Sequence, residues 1–541
     1  MSSQEAGVIG RGTWLDRVAH ELLERENALG RDTSLLRVES GLGASGIPHI
    51  GSVGDAIRSY GVKLALETAG YKSELIAYSD DLDGLRKVPA GFPPSLKEYI
   101  AHPVTRIPDP FGCHPSFGAH TGGLLRSALD DLGIPYKFMS GAEVYKKGLL
   151  NEQIKKILDN AKTVGRAIKD ITGQDKYLEV IPYTPICQNC GRLYTTVVTS
   201  YDPASGIVRY KCDIAEIGNA MVKGCGHVGE RKVTEGEGKL VWKSEFAARW
   251  AALGIRFEAY GKDIADSVKV NDWISEHVLG YPPPYHARYE MFQDKSGRKV
   301  SKSVGNVITI QDWLNYASPE SVRLLMFKRI VGARNISVDD VPVYMDEFDE
   351  LEDSYFAKKR DQNAMKDAKL RGLYEYTMLL QVPQKPSLHV PYRLLAELAS
   401  TAPEGALEEY VSKRLVAYGL IKDSPSEALL TRIRWAAAWS KREGTVTQAA
   451  ELPELSVKQK KALQDFAAQL SKAATADEIQ GAAFAAMRGN GLQAGEFFPL
   501  VYAILLGSQK GPRLGAYVVD AGPKTVAEKL ARAVSSSRKH N

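Results

Sequence analysis

One stretch near the amino terminus decides the fold: residues 34–52, SLLRVESGLGASGIPHIGS. The apolar pattern over 34–40 predicts a β-strand, and the pattern over 51–69 predicts a helix. Glycines stand at positions 41, 43, 46 and 51, and a second predicted strand follows at 73–78. A strand, a glycine-rich turn, a helix and another strand form the start of a βαβ unit. The sequence therefore predicts an α/β fold built on a parallel sheet.

The turn inside this stretch, residues 45–52, has the features of a phosphate site. Small residues let the backbone approach a phosphate, and the start of the following helix offers N–H groups and the positive end of its dipole. His49 is placed to donate to a phosphate oxygen, and Gly46, Gly51 and Ser52 accompany it. The alternative is a tight turn that carries a solvated histidine.

A second candidate for phosphate chemistry is the basic stretch 297–306, GRKVSKSVGN, in which Lys299 and Lys302 flank Ser301. Lysine ammonium groups are mobile point charges, so they suit a phosphoryl centre whose charge grows in the transition state. The alternative is an ordinary basic surface loop.

Composition excludes several classes of protein. At 541 residues the chain is long enough for about three to five domains. Its 44% hydrophobic and 25% charged residues argue against a disordered protein, a collagen or a coiled-coil rod. The apolar stretches are too short for a membrane span, and residues 1–14 lack the apolar core of a leader peptide. We therefore expect a cytoplasmic protein with no membrane or DNA partner, although a net charge of +5 permits an RNA partner.

Cysteine usage indicates metal binding and argues against disulfides. The count of five is odd, and four of the five cysteines fall within residues 187–225. Two cysteine knuckles joined by a hairpin would supply four soft ligands for structural zinc. Cys187 and Cys190 form the first pair, and the second pair comes from Cys212, Cys225 and His227. The alternative is a set of buried thiols in a reducing compartment.

A second cluster of metal-ligand types lies within twelve residues: Asp109, Cys113, His114 and His120. Its spacing matches no simple zinc finger. The alternative is that both histidines line a polar loop.

The two phosphate candidates together resemble the paired signatures of class I aminoacyl-tRNA synthetases, with Ser52 where the commonest form of the first signature has a second histidine. Further segments are similar to class I lysyl-tRNA synthetases, the archaeal type of lysine enzyme. They are DDLDGLRKVP (80–89), PDPFGCH (108–114), GCGHVGE (224–230), GKLVW (238–242) with ARW (248–250), GKD (261–263) and LLGSQKGPRLG (505–515).

The resemblance implies an enzyme that uses ATP, Mg²⁺ and Zn²⁺ to activate lysine as lysyl-adenylate and transfer it to the 3′ end of tRNA(Lys). His49, Lys299 and Lys302 would be catalytic, with Gly46, Gly51, Ser52 and Ser301 also at ATP. We assign amino-acid binding to Gly41, Gly43, Asp80 and Trp242, and expect the acidic run Asp80, Asp81 and Asp83 to be able to hold an ammonium group. The resemblance further implies a histidine in many family members where this chain has Ile264, and a second metal at the Asp109 cluster.

The implied architecture is a Rossmann-like catalytic domain with a zinc-bearing insertion and an all-helical carboxyl-terminal domain. We predict an amino-terminal region with the first catalytic half (1–140), a connective insertion (141–235), the second catalytic half with the KVSKS loop (236–310), a stem-contact region (311–385) and a helical anticodon-binding domain (386–541). Basic residues in the last domain, Arg434, Lys510 and Arg513, are candidates for tRNA contact. The nearby Trp435 and Trp439, spaced i, i+4, are better explained as core.

Three rival functions remain open from the sequence. One is a class I synthetase for another amino acid, such as glutamate. Another is a tRNA-independent nucleotidyltransferase, which the long helical region argues against. The third is a non-catalytic RNA-binding protein, which would not need the lysine-rich loop.

Overall fold

The structure is a computed structural model that describes residues 8–44, 46–294, 308–358, 361–442, 455–471, 473–506, 509 and 511–536. The chain forms two compact units. The first comprises Met1–Gln311, Val322–Ser337 and Ala357–Val382, and the second comprises Asp312–Ser321, Val338–Phe356 and Pro383–Asn541.

The elements of the described residues are as follows. The strands are β1 (Leu36–Leu42), β2 (Ser73–Ser79), β3 (Lys137–Ser140), β4 (Tyr183–Pro185), β5 (Thr196–Asp202), β6 (Ile207–Cys212), β7 (Ala215–Ile217), β8 (Ala220–Val222), β9 (Val228–Lys232), β10 (Gly238–Leu240), β11 (Ile255–Gly261), β12 (Tyr285–Tyr289), β13 (Phe292–Gln293) and β14 (Arg334–Asn335). The helices are α1 (Trp14–Ala28), α2 (Ile50–Thr68), α3 (Phe117–Asp131), α4 (Gly141–Lys146), α5 (Asn151–Asp159), α6 (Ala161–Thr172), α7 (Trp242–Leu253), α8 (Ala265–His277), α9 (Ile310–Leu314), α10 (Pro319–Phe327), α11 (Val341–Phe356), α12 (Ala364–Thr377), α13 (Tyr392–Ser400), α14 (Leu407–Ala417), α15 (Glu427–Ser440), α16 (Val457–Leu470), α17 (Ala476–Gly489), α18 (Ala494–Leu506), α19 (Leu514–Ala521) and α20 (Pro523–Ser536).

A five-stranded parallel sheet organises the first unit, as the opening stretch predicts. Its strand order is β12-β11-β1-β2-β3, and β1 pairs with β2 in register from Leu36–Ser73 to Leu42–Ser79. The chain moves from β1 to one side for β2 and β3, and returns to the other side for β11 and β12. Ligands of open parallel sheets bind outside the carboxyl ends of the strands at such a change of direction. The crevice after β1 is therefore where a substrate site is expected.

The insertion between β3 and β11 carries small antiparallel sheets. Strands β5, β6 and β9 form one of them, β7 pairs with β8, and β10 pairs with β4. The β5–β6 hairpin turns at Asp202, whose carboxylate accepts from Ala204 N and Ser205 Oγ, and Gly206 takes the left-handed conformation at φ +69°. Its core side chains, among them Val198, Val208 and Tyr210, are buried. These short strands form the small module on which the cysteines lie.

The described part of the second unit is helical. Ser426, Ser456 and Thr475 cap α15, α16 and α17 through their hydroxyl oxygens, as short polar side chains do at helix starts. Trp439 is 3% exposed and donates to Val338 O at 2.8 Å, so the core prediction is confirmed for it, whereas Trp435 is only half-buried. Among the described residues, no helix combines the length and the apolarity that a membrane crossing requires.

Candidate active site

The predicted phosphate turn lies at the carboxyl end of β1, with His49 as the N-cap of α2. Ser52 N donates to His49 Nδ1 at 3.2 Å, and His49 N donates to Ser52 Oγ at 3.3 Å, which together form a capping box. An Nδ1 that accepts from a backbone N–H carries no proton, so the proton of the neutral ring lies on Nε2. The turn thus presents a donor of the kind that binds phosphate oxygens.

Glycine at position 51 keeps the His49 ring in place. A Cβ atom at Gly51 would lie 2.9 Å from both Cε1 and Nδ1 of that ring. Such a contact is too short for carbon, so any side chain here would displace the imidazole. Gly46 and Ser52 lie on the same turn and are buried and half-buried respectively.

The predicted lysine loop cannot be placed, because Lys299, Ser301 and Lys302 lie outside the described residues. Both flanks of 295–307 are nevertheless described, and both adjoin the His49 turn. On one side, Phe292 Cδ2 is 3.8 Å from the Cβ position of Gly51. On the other, Ile308 O accepts from Ile50 N at 2.8 Å. Phe292 and Ile308, one on each side of residues 295–307, therefore both lie beside the His49 turn.

A cavity of about 630 Å³ opens beside the carboxyl ends of β1 and β2. We call it the Asp80 cavity. Three of the four predicted amino-acid-binding residues line it, namely Gly43, Asp80 and Trp242. The fourth, Gly41, lies next to it, since its Cβ position is 3.8 Å from Asp80 Oδ2. The structure thus brings together residues that are 200 positions apart in the sequence.

The three carboxylates of the acidic run have different partners. Asp80 Oδ1 accepts from Arg249 Nη1 at 3.0 Å, and Asp83 pairs with the buried Lys239. Asp81 Oδ1 accepts from Ala142 N at 2.8 Å and holds the start of α4. Only Asp80 and Asp83 line the Asp80 cavity, so Asp81 serves the fold and not the candidate site.

Arg249 is a buried cation next to Asp80, and the sequence did not indicate a role for it. Its side chain is 1% exposed, and its nitrogens lie 2.6 Å from Glu39 Oε1, 3.0 Å from Asp80 Oδ1 and 3.4 Å from Glu258 Oε1. Burial raises the pKa of Glu39 to about 8 and that of Asp80 to about 7, although the guanidinium opposes both shifts. One buried cation therefore holds three carboxyl groups on two strands and the loop after β2.

Lys239 is a second buried cation that the sequence did not single out. It is 3% exposed and pairs with Asp83 and with Glu245 Oε2, the latter at 2.8 Å. A signal for both residues existed. Lys239 lies in the otherwise apolar GKLVW, and Arg249 lies between alanines and a tryptophan, where a charge is rarely buried without a partner.

Ile264, at the position of the family histidine, lies at the end of the short helical turn Lys262–Ile264. It borders a small cavity with Phe246, Glu258, Tyr260 and His286. His286 Nε2 lies 2.9 Å from Asp272 Oδ1. The surroundings of Ile264 are mainly aromatic and apolar, so the isoleucine is well accommodated.

The four insertion cysteines converge. Their sulfur atoms all lie within 4.8 Å of one another, with Cys187–Cys225 at 3.6 Å and Cys190–Cys212 at 3.7 Å. Zinc–sulfur bonds of about 2.3 Å in a tetrahedron place sulfur atoms about 3.8 Å apart, so the set fits zinc. His227 is not in this cluster, and its Nε2 lies 3.5 Å from Gln188 Oε1. We call Cys187, Cys190, Cys212 and Cys225 the cysteine cluster.

The second predicted metal cluster also converges. Cys113 Sγ lies 3.1 Å from His114 Nδ1 and 3.2 Å from His120 Nδ1, and His120 Nδ1 lies 3.4 Å from Asp109 Oδ1. Asp109 Oδ2 also accepts from the backbone N–H groups of Cys113 and His114, each at 2.9 Å. A carboxylate, a thiol and two imidazoles at these separations form a donor set that could hold a zinc-like ion.

We expect purified protein to contain zinc held by the cysteine cluster, at about one equivalent. Cys212→Ser should lose it, because three thiolates and a serine bind zinc far more weakly, whereas His227→Ala should retain it. Metal content by plasma mass spectrometry checks both. Cys113→Ser reports separately on the Asp109 cluster. Equal zinc content in the wild type and the Cys212→Ser variant would contradict the assignment.

The tRNA candidates of the helical region have partners within the chain. Arg434 pairs with Glu408 at 2.7 Å and with Glu427 at 2.8 Å, and Arg513 pairs with Asp477 at 2.9 Å. All of these pairs are exposed, so the surrounding water screens them and an RNA phosphate can compete for the arginines. Lys510 lies outside the described residues.

Comparison with known proteins gives the class of this chain. A family model described as "tRNA synthetases class I (K)" matches residues 12–379. The chain belongs to this family of class I tRNA synthetases.

Individual relatives match along almost the whole chain. A protein of Cenarchaeum symbiosum named lysine–tRNA ligase is 49% identical over 519 residues, covering 96% of this chain and 98% of the relative. A lysine–tRNA ligase of Halobacterium salinarum is 31% identical over 552 residues, with 97% of each chain covered. Among solved structures, a glutamate–tRNA synthetase from Elizabethkingia anophelis covers 92% of this chain and 99% of its own at 11% identity, with a TM-score of 0.32, too low to support an argument.

Proposed function

We propose that this protein is a lysine–tRNA ligase that activates lysine with ATP and transfers it to the 3′ end of tRNA(Lys). The observation that carries the proposal is the near-complete match at 49% identity to a protein of that name. The geometry agrees with it, because the His49 turn and a cavity lined by Asp80 and Asp83 lie at the change of direction in a parallel sheet.

In the first step the lysine carboxylate attacks the α-phosphorus of ATP and expels pyrophosphate. His49 Nε2–H donates to a phosphate oxygen, and Gly46, Gly51 and Ser52 let the phosphates approach the start of α2. We assign Lys299, Ser301 and Lys302 to the same phosphates, a role supported by the two flanks of their loop at the turn. Class I synthetases use Mg²⁺, which neutralises phosphate charge when it is bound with ATP. Rate acceleration comes from positioning and charge stabilisation, without a general base.

Lysine occupies the Asp80 cavity, with Trp242 as an apolar wall. Asp80 accepts from an ammonium group of the substrate while Arg249 holds the other side of its carboxylate. Arg249 favours the ionised form of Asp80, because its guanidinium opposes the rise in pKa that burial causes, and an ammonium group of the substrate favours that form further. Lysine is therefore bound without the histidine that Ile264 replaces.

The tRNA is bound by parts of the chain outside the sheet. We assign the acceptor end to the connective insertion, the stem to residues 311–385 and the anticodon to residues 386–541, with Arg434, Lys510 and Arg513 as candidate contacts. We assign the cysteine cluster and the Asp109 cluster to zinc. We also propose a cytoplasmic location, where the tRNA and the reduced thiols would be found.

The test is aminoacylation of total tRNA with each radiolabelled amino acid, ATP and Mg²⁺. We expect charging with lysine alone. Charging with another amino acid, such as glutamate, would keep the chemistry and overturn the specificity. ATP binding without any charging would move the assignment to a tRNA-independent nucleotidyltransferase or a repurposed RNA-binding protein.

A further inference from the structure

The Asp80 cavity is built mostly by one segment. Residues 83–90, which we call the cavity wall, supply seven of its eleven lining residues. The wall is not part of the parallel sheet, since β2 ends at Ser79. What holds the wall in place therefore sets the shape of the cavity.

Tyr194 packs directly against the wall. A Cβ atom on Gly84 would lie 2.8 Å from Cδ2 and Cε2 of the Tyr194 ring, which leaves no room for a side chain between them. The Arg86 guanidinium lies over the same ring, 5.3 Å from its centroid. Both Gly84 and Arg86 line the Asp80 cavity, so one aromatic ring supports two of its lining residues.

The backbone of the wall is tied to the same part of the chain. Leu85 N donates to His102 O at 2.9 Å, and Ala101 N donates to Leu85 O at 2.8 Å. Leu193 N in turn donates to Ala101 O at 2.7 Å, and His102 Nε2 donates to Cys190 O at 2.9 Å. The cavity wall, the 101–102 segment and the Cys187–Tyr194 loop thus form a continuous hydrogen-bonded ladder.

A second cavity, of about 490 Å³, lies on the other side of this contact. Tyr194 and Lys243 line it, and it shares Asp83, Arg86 and Trp242 with the Asp80 cavity. The second cavity and the Asp80 cavity therefore meet at the wall, and Tyr194 is the large aromatic residue behind Gly84 and Arg86. Because the second cavity lies behind the cavity wall, loss of the Tyr194 ring would leave the wall free to move into that space.

We propose that Tyr194, at the end of the Cys187–Tyr194 loop, is a positioning residue for amino-acid binding. Its ring fixes Gly84 and Arg86 and so holds the wall of the Asp80 cavity closed around lysine. This proposal rests on the proposed function, because it takes the Asp80 cavity to be the lysine site. It assigns the loop that carries Cys187 and Cys190 a role in substrate affinity as well as in folding.

The test compares Tyr194→Leu with the wild-type full-length protein in aminoacylation at saturating tRNA. We expect KM for lysine to rise by about tenfold, as expected when binding residues lose their positions. The KM for ATP and kcat at saturating lysine should stay within about twofold, since the His49 turn is untouched. Zinc content should match the wild type, because all four cysteines remain.

Two further variants distinguish a positioning role of Tyr194 from a purely structural one. Tyr201→Leu removes a ring of the same size from β5, where Tyr201 OH donates to Asp159 Oδ1 at 3.2 Å, and it should leave KM for lysine unchanged. Gly84→Ala pushes the Tyr194 ring away from the cavity wall, and it should raise KM for lysine by a similar factor to Tyr194→Leu. In the double variant with Tyr194→Leu the clash between the alanine and the ring is absent and only the contact with Ala101 O at 3.1 Å remains, so the combined effect should be smaller than the sum of the two.

An unchanged KM for lysine in Tyr194→Leu, with normal zinc content, would overturn the proposal and leave the lysine–tRNA ligase activity standing. Equal losses in the Tyr201→Leu control, or a parallel loss of zinc, would also overturn it, because the ring would then act only on the fold of the module. Failure of the wild type to charge tRNA with lysine would instead refute the proposed function.

Discussion

We expect His49→Asn to charge tRNA(Lys) at least about 10²-fold more slowly than the wild type, a loss of about 2.7 kcal/mol, which is typical of removing one transition-state donor. The Nε2 proton is the group that is lost, because asparagine is too short to reach the same phosphate oxygen. Asparagine is among the best N-cap residues, so α2 should keep its start. The melting temperature should therefore change little while kcat falls, and steady-state aminoacylation together with thermal unfolding measures both.

Two neighbouring variants test the geometry behind this expectation. His49→Ala removes the donor and also the acceptor for Ser52 N, so it should lose the same activity and an additional stability of about 0.5–2 kcal/mol. Gly51→Ala keeps the imidazole but moves it, since the new Cβ would meet the ring at 2.9 Å. Full activity in His49→Asn would exclude the imidazole from phosphate binding and leave only its capping role.

Arg249→Met should destabilise the parallel-sheet unit by about 3–5 kcal/mol near pH 9, because it leaves buried carboxylates without their cation. The guanidinium holds Glu39 and Glu258 on β1 and β11, and Asp80 after β2. Methionine has a similar volume, so a cavity contributes little to the loss. Urea unfolding followed by circular dichroism measures it.

The free energy of unfolding that is lost in Arg249→Met should depend on pH in a defined direction. Burial already raises the pKa of Glu39 to about 8 and that of Asp80 to about 7 in the folded protein, above their unfolded values. A raised carboxyl pKa stabilises the fold below the unfolded pKa, and this contribution is lost as pH rises through the folded pKa. Without Arg249 the folded pKa values rise further, so Arg249→Met should be close to wild-type stability near pH 5 and weakest near pH 9.

A surface pair provides the control. Arg37 Nε lies 2.6 Å from Glu74 Oε1 on the neighbouring strand, with about a third of its side chain exposed. Arg37→Met should cost at most about 1 kcal/mol, because water screens the pair. A cost of similar size for Arg249→Met at pH 9 would show that the buried carboxyl groups are neutral and need no cation.

Much of the architecture and part of the candidate site could be predicted without coordinates. The glycine-rich turn between strand and helix, the parallel sheet and the helical character of the last part of the chain depend on neighbouring residues, and such patterns are visible in the sequence. The same holds for the Cys187–Cys190 pair and for the position of His49 between a strand and a helix, although its role as the N-cap of α2 came only from the structure.

Other properties of the site depend on residues far apart in the chain. The choice of Cys212 and Cys225 over His227, the pairing of Asp83 with Lys239 and the use of Asp81 to hold α4 are decided by packing. From local spacing alone, the three aspartates were equivalent candidates for binding an ammonium group. The structure separates them because each backbone position directs its carboxylate toward a different element.

The sequence by itself thus determined the class of fold, the glycine-rich turn before α2 and the clustering of metal-ligand residue types, because these follow from local periodicity and side-chain chemistry. Only the tertiary structure decided which charges neutralise one another and which residues surround a substrate. Arg249 and Asp80 are 169 positions apart, and their contact exists because α7, which carries Arg249, packs in the same core as β2, the strand that precedes Asp80. A buried charge is stable only beside its partner, and the partner is chosen by the packing of the whole sheet.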